Sequence, residues 1–427
     1  MPAEILPTMS YFALLLGAGV IVANITNKWR LPNALFMLLV GLLFSPTLLG
    51  IVDIGKMGDV PEFLRTLALI VIVFAGTFHL KMSTFARVSK VALKLSFWGF
   101  FLSVVLLGTF AHLIFGMTWI GSFILASIIG GTSSAAIFTF KKHLDERGDI
   151  GAILTVESIF SDPLTVLVPI LLLEAYISGV FDSTIVMKQF WQLIAAGVGT
   201  GVVVGLSVSE VFKKMEKSLS PILGLAIALI TYALAGNVGG SGILAVAICA
   251  LLLGNRNIPY KEHIGEFEDT LSTMLTISIF TFLGAQIALN ITTMMIVQQA
   301  LFITLLIFLV RPAITFVLTR KNNFTMFDRI LMSMTGPRGA ATAAVAAIPL
   351  TYAMRDGLDF LVPEANIMLL TAFFVIFFTM LSSTVANIIM GKKEKKPAAQ
   401  SSQPETEKEE EEPVFLRKEK PKKKVKK

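Results

Sequence analysis

The sequence has little charge, one cysteine and four histidines, and each scarcity excludes a class of protein. Charged residues make up 15% of the chain and hydrophobic residues 55%, whereas an average soluble domain is roughly 25% charged. A globule in water could not cover that much apolar surface. Cys249 has no second cysteine to pair with, so no intramolecular disulfide is possible, and its place in an apolar run makes it a small core residue. His79, His112, His143 and His263 show no metal-ligand spacing, and no nucleophile and base pattern emerges, so neither an enzyme nor a bound cofactor is expected. The net charge is +7, but 13 Lys/Arg and 8 Asp/Glu lie after Met390. The basic balance therefore belongs mostly to the tail and does not indicate a nucleic-acid partner.

In place of charge the chain has long apolar runs, with mean hydropathy +0.77. A helix needs about 20 mainly apolar residues to cross a bilayer. Thirteen runs qualify: 9–27, 31–52, 63–81, 92–117, 119–140, 150–177, 190–212, 219–236, 239–256, 269–289, 297–319, 329–350 and 366–390. The expected fold is an all-α integral membrane protein of about 13 transmembrane helices. Met1 to Thr8 lacks the positive stretch of a cleavable signal and no cleavage-like site follows, so the first run is expected to be a retained helix. Gly236-Asn237-Val238-Gly239-Gly240 is read as a turn between two helices.

Lys and Arg favour cytoplasmic loops. Placing the C-terminus inside puts 30 of them on the inner side and only Lys56, Arg65, Lys188 and Arg355 outside, with Arg311 and Arg338 within spans. The expected protein is thus a multi-pass protein of the plasma membrane with its N-terminus outside and its C-terminus cytoplasmic. Residues 391–427 form a charged tail with the composition of a disordered segment. The first six runs set against the last six show weak internal symmetry. Val40-Gly41-Leu42-Leu43-Phe44-Ser45-Pro46 parallels Ala250-Leu251-Leu252-Leu253-Gly254-Asn255, and an interruption at Gly130-Gly131-Thr132 in the fifth run parallels one at Thr335-Gly336-Pro337 in the twelfth. An odd number of helices intervenes, so the repeats would be inverted. Broken helices at matching places in inverted halves point to a transporter site at the bilayer midplane.

Ionisable groups at mid-membrane depth cost on the order of 3 kcal/mol each and are functional candidates by default. The sixth run carries Glu157 and Asp162, the twelfth Arg338, and the eleventh Arg311 toward its inner half. Helical spacing places Glu157 with Ser161 and Ser158 with Asp162 in neighbouring stripes, four oxygen-bearing side chains on one face, a surface suited to a hard cation. Pro163 cannot donate to the carbonyl of Ile159, which leaves a further oxygen close by. The small polar string Gly130-Gly131-Thr132-Ser133-Ser134 lets the fifth helix unwind and expose carbonyls to an ion. A buried guanidinium needs a carboxylate, and pairing Arg338 with Glu157 leaves Asp162 as the one free titrating group. Arg311, followed by Pro312, is expected to satisfy freed carbonyls or to reach toward the inner surface.

At these residues the chain resembles the NhaP/NHE branch of the monovalent cation/proton antiporters. Glu157-Ser158-Ile159-Phe160-Ser161-Asp162-Pro163 is similar to the family's Glu-Ser-x-Phe-Asn-Asp-Pro, and Gly336-Pro337-Arg338-Gly339 to its Gly-Pro-Arg-Gly. Gly239-Gly240-Ser241-Gly242-Ile243-Leu244-Ala245-Val246 with Leu251-Leu252-Leu253-Gly254-Asn255 also resembles a family helix. The likeness extends over residues 1 to about 390.

The resemblance implies a secondary antiporter, most simply of Na⁺ with Li⁺ as a further substrate, working by alternating access. A K⁺/H⁺ antiporter or a channel-like K⁺ efflux system is the alternative on the same fold. It further implies that Asp162 carries cation or proton, that Glu157, Ser158, Ser161, Thr132 and Ser133 complete the site, and that Glu157 and Arg338 form a buried pair. A homodimer is implied, with a moving core of helices at about 92–177 and 297–390 and an interface built from those at about 9–81 and 190–289. The substrates would be the cation and H⁺, with lipid as the solvent. Two departures stand out: Ser161 replaces the family Asn, and Ser133 replaces the Asp of its Thr-Asp pair. Ion preference therefore does not carry over. One free carboxylate instead of two favours electroneutral one-for-one exchange.

Overall fold

The computed structural model describes residues 5–29, 33–134, 137, 149–179, 183–287 and 291–393. Among these the chain is helical without strands. Its helices are α1 (Ile5–Trp29), α2 (Asn33–Phe44), α3 (Val60–Phe78), α4 (Met82–Phe115), α5 (Trp119–Gly130), α6 (Asp149–Ser178), α7 (Ser183–Phe212) and α8 (Ser220–Asn237). There follow α9 (Gly242–Gly254), α10 (Lys261–Ala285), α11 (Ile291–Thr319), α12 (Met326–Met334), α13 (Ala340–Ala346), α14 (Ile348–Arg355) and α15 (Val362–Lys393). Eight of the described helices are long and apolar enough to cross a membrane, and α2, α5 and α9 are shorter apolar ones. The protein is a multi-pass membrane protein.

Among the described residues every apolar run contains helix, the twelfth being divided among α12, α13 and α14, and the other differences have local causes. The fourth run begins ten residues late, because α4 starts with the polar stretch Met82–Lys94 and passes through a π turn at Leu95–Gly99 before its apolar part. There Lys94 Nζ donates to Leu318 O at 2.6 Å, which anchors the charge on the end of α11. Likewise α10 begins at Lys261, eight residues before its apolar run, since its first turns carry Glu262, His263, Glu266, Glu268 and Asp269. The glycine stretch does separate two helices: α8 ends at Asn237, Gly239 takes φ of 69°, and Ser241 caps α9 by accepting from Leu244 N–H. The final helix runs on to Lys393, and residues 394–427 of the charged tail lie outside the described residues.

The buried centre is α6, since 78% of its best apolar window is covered by protein, against 11% for α1. It continues through Pro163 and Pro169 as one helix and packs on α4, α5 and α13. The N-terminus of α15 fastens this group: Glu364 accepts from Thr118 N–H ahead of α5 at 2.6 Å and from Tyr176 OH at the end of α6 at 3.1 Å. A second set of contacts joins α2 and α3 to α10, and α7 and α8 to α9.

Helices immersed in lipid gain little from hydrophobicity against one another and pack by close approach of small residues. The α2–α10 crossing shows this at Gly41 and Gly284. A Cβ on Gly284 would lie 2.7 Å from Leu42 N and 3.0 Å from Gly41 Cα, and one on Gly41 would overlap the carbonyl of Thr281. In the same way α7 rests on α9 through Gly205, whose Cβ would come within 3.2 Å of the backbone of Cys249.

Because backbone cannot move aside as a side-chain tip does, Gly284→Ala is expected to lower the thermal midpoint of the purified protein in detergent, at a cost of about 1–3 kcal/mol. Gly199→Ala, with no atom within 4 Å of the added methyl, is expected to leave it unchanged.

Candidate functional site

Two interrupted helices meet beside α6. The first, α5, ends at Gly130, and Gly131 to Ser133 are non-helical. Gly131 lies so close to α6 that a Cβ would collide with the hydroxyl of Thr165. Thr132 is tied to Ser161 three times: its N–H donates to Ser161 Oγ at 3.1 Å, the two hydroxyl oxygens lie 3.0 Å apart, and Ser161 Oγ donates to Thr132 O at 2.8 Å. The chain turns helical again at Ser134, where Ile137 N–H reaches Ser133 O at 3.0 Å. The rest of the fifth run lies outside the described residues.

The second interruption separates α12 from α13 at 335–339. The breaks touch: Ser133 N–H donates to Pro337 O at 3.0 Å and Ala340 N–H to Ser133 Oγ at 3.3 Å. A Cβ on Gly339 would collide with that serine, so this glycine is what allows the approach.

Breaking a helix in an apolar surround strands carbonyls that water would otherwise solvate. Each C-terminal end is met by an arginine. Arg338 donates from Nε to Ile129 O at 2.7 Å and from Nη2 to Gly130 O at 3.4 Å, both on α5, and from Nη1 to Gly336 O at 2.7 Å. Its backbone N–H reaches Thr379 Oγ1 of α15 at 3.2 Å. Arg311 of α11 donates from Nε to Ser333 O at 3.1 Å and from Nη2 to Met332 O at 3.3 Å, the last turn of α12. A helix C-terminus carries roughly half a negative charge, so each guanidinium meets an electrostatic partner as well as acceptors.

The expected pair of Glu157 with Arg338 is corrected by this geometry. Glu157 binds Arg311 through both oxygens, Oε1 to Nη1 at 3.1 Å and Oε2 to Nη2 at 3.4 Å. Arg338, only 1% exposed, is held by carbonyls, and among the described residues it forms no ion pair with Glu157. Arg311 does satisfy freed carbonyls, as expected, and takes the carboxylate in addition.

The other expected site residues on α6 fan out to different partners. Ser158 is fully buried and donates to Thr155 O of its own helix at 3.0 Å. Ser161 is engaged with Thr132. Asp162, 3% exposed, accepts two hydrogen bonds on Oδ2, from Ser134 N–H at 3.0 Å and from Ser134 Oγ–H. Its other oxygen, Oδ1, is buried and has no hydrogen-bond partner among the described residues. The arrangement thus presents one unsatisfied carboxylate oxygen at the junction of two broken helices. Nothing in the spacing distinguishes Ser134 from Ser133, so its role became visible only here. Glu268 on α10 is a further fully buried acid, with both oxygens unpartnered among the described residues. It lies one residue before an apolar run and so escapes a search for charges within spans.

A polytopic helical protein in which two interrupted helices meet at a buried carboxylate is built as a membrane carrier is built. The profile of the sodium/hydrogen exchanger transmembrane family matches residues 12–391, and the chain belongs to that family. It is 27% identical over 364 residues to a probable Na⁺/H⁺ antiporter 2 of Methanocaldococcus jannaschii, covering 81% of this chain and 85% of that one. It is 28% identical over 350 residues to a K⁺/H⁺ antiporter NhaP2 of Shewanella baltica, covering 79% of this chain and 59% of that one. Its fold matches the solved structure of the sodium proton antiporter MjNhaP1 of M. jannaschii at pH 8, with TM-score 0.80 and 22% identity over 91% of this chain and 99% of that one.

Removing one member of a buried ion pair leaves an uncompensated charge, typically a loss of about 3–5 kcal/mol. Glu157→Ala is therefore expected to reduce the amount of folded protein in the membrane, and joint replacement with Arg311→Met to restore it in part, since the carbonyls of Met332 and Ser333 then lose their donor. Replacing Arg338 in the Glu157→Ala background is expected to give no rescue. Fluorescence-detected gel filtration of the three variants reads the difference.

Proposed function

We propose that this protein is a secondary active antiporter that exchanges a monovalent cation for H⁺ by alternating access, with Asp162 carrying either ion. The observation that supports it most is the buried Asp162, with one oxygen satisfied and the other without a partner among the described residues. A bare carboxylate in an apolar site is unfavourable, and a proton or a cation relieves it. If the core moves only when the charge is relieved, the two ions share one carrier and cannot cross without exchanging. Glu157 is committed to Arg311, so of the two acids on α6 Asp162 is the one left to change charge. Each cycle then moves one cation against one proton with no net charge.

Na⁺ is the favoured cation, because the M. jannaschii relatives named as Na⁺/H⁺ antiporters are matched over 85% and 83% of their length, while the NhaP2 proteins are matched over about 60%. K⁺ is the second reading, supported by the names of those NhaP2 relatives at equal identity. Thr132, Ser133, Ser158 and Ser161 shape the surroundings of the carboxylate, with Ser161 and Thr132 holding the break of α5 in place. The N-terminus faces outward and the charged tail faces the cytoplasm, in keeping with the 30 to 4 distribution of basic residues. The plasma membrane is the proposed location. The family resemblance supports a homodimer through helices within 9–81 and 190–289, with those of 92–177 and 297–390 moving.

Reconstituted into proteoliposomes, the protein is expected to dissipate a pH gradient on addition of Na⁺ or Li⁺, at a rate that does not change when the membrane potential is clamped to zero. Asp162→Asn is expected to abolish this flux. Cation-dependent proton movement surviving in that variant refutes the assignment, and a response to K⁺ alone selects the second reading.

A further inference from the structure

We propose that Ser134 is a positioning residue for the exchange carboxylate: its N–H and hydroxyl together occupy Oδ2 of Asp162, so that Oδ1 alone takes the proton or the cation. The proposal rests on the antiport reading of Asp162 and adds a residue and a mechanism to it. A carboxylate has two oxygens and about four acceptor sites. Free in a cavity, it could bind a proton on one oxygen while a cation stayed on the other, and the competition that couples the two fluxes would weaken. Ser134 removes that freedom by directing both of its donors at one oxygen.

The clamp also sets the balance between the two ions. Donors favour the ionised carboxylate over the protonated one, and therefore favour the form that attracts a cation. In a site as buried as this one, few other groups make that correction. The buried charges Glu157, Arg311 and Arg338 are engaged with one another or with carbonyls. On the helices packed against α6, the remaining charges are Glu62 and Arg65 of α3, Arg87, Lys90 and Lys94 of α4, Lys188 and Glu210 of α7, and Asp328 and Arg329 of α12. None of these forms a hydrogen bond or ion pair with Asp162 among the described residues. The hydroxyls of Ser161 and Thr132, which could have served, are bonded to each other. Ser134 is thus the side chain that donates to Asp162.

The test is the exchange assay on the full chain in proteoliposomes, with Na⁺, Li⁺ and K⁺ as probes and pH varied on the substrate side. Ser134→Ala keeps the backbone donor and removes the hydroxyl. A charge-assisted hydrogen bond of this kind is worth about a factor of ten or more. The apparent KM for Na⁺ at neutral pH is therefore expected to rise about tenfold and the pH profile to move about one unit more alkaline, with the effect falling on KM more than on the saturated rate. Ser134→Thr, which retains a hydroxyl, is expected to restore both. If Ser134→Ala does not accumulate in the membrane, Ser134→Cys serves, because a thiol is a weak donor, and the same shifts are expected. A wild-type KM and pH profile in the variant overturns the proposal. So does a changed order of Na⁺, Li⁺ and K⁺ without a pH shift, since that would make Ser134 a direct ligand. Exchange persisting in Asp162→Asn overturns the antiport reading itself; exchange lost there but unchanged in Ser134→Ala overturns only the role of Ser134.

Discussion

The constraint on which the structure depends is that a helix broken inside a membrane must find partners for the backbone groups it releases. Water is not at hand there, and each unsatisfied carbonyl or amide costs several kcal/mol. In this protein the two breaks answer the problem in the same way. Arg338 caps the end of α5 and Arg311 caps the end of α12. On the far side of each break an N–H finds a side-chain oxygen, Asp162 for Ser134 and the hydroxyl of Ser133 for Ala340. The two breaks also serve one another, since Arg338 belongs to the second and caps the first. The interrupted helices are therefore one interlocked unit, fastened to α6 by Thr132 and Ser161.

From that unit follows the character of Asp162. Glu157, five residues earlier on the same helix, points to Arg311 and is neutralised, whereas Asp162 faces the break in α5 and accepts from a serine. Two acids on one helix are thereby given different surroundings, one paired with a guanidinium and one held by the donors of a serine. The departures from the family pattern act at the same place. Ser133, where the resemblance leads one to expect an acid, uses its hydroxyl to receive Ala340 N–H, and Ser161, where an amide is expected, uses its own to hold Thr132. Among the described residues the hydrogen-bond partners of Asp162 are accordingly a hydroxyl and a backbone N–H, with no second carboxylate bonded to it.

Much of this was legible in the residues themselves. Apolar runs of bilayer length locate the helices, because crossing lipid demands them whatever the packing. Glycine, hydroxyl and proline clusters at 130–134 and 335–339 mark both breaks, since no other residues leave a helix so readily at that depth. Asp162 and Glu157 stand out because charge is so scarce around them. The polar beginnings of α4 and α10 were not legible as helix, because Met82–Lys94 and Lys261–Asp269 lack the hydrophobicity by which a span is recognised.

The sequence by itself determined the membrane fold, the position of the breaks and the two acids of α6 that lie beside them, all of them consequences of how few polar groups a bilayer tolerates. Only the tertiary structure decided which partner each of those groups takes. Two arginines and two carboxylates allow more than one pairing, and the choice turns on where the ends of α5 and α12 leave their carbonyls. Arg311 and Glu157 are 154 positions apart in the chain. Their meeting is a property of how α11 and α12 lie against α6, which no local spacing encodes.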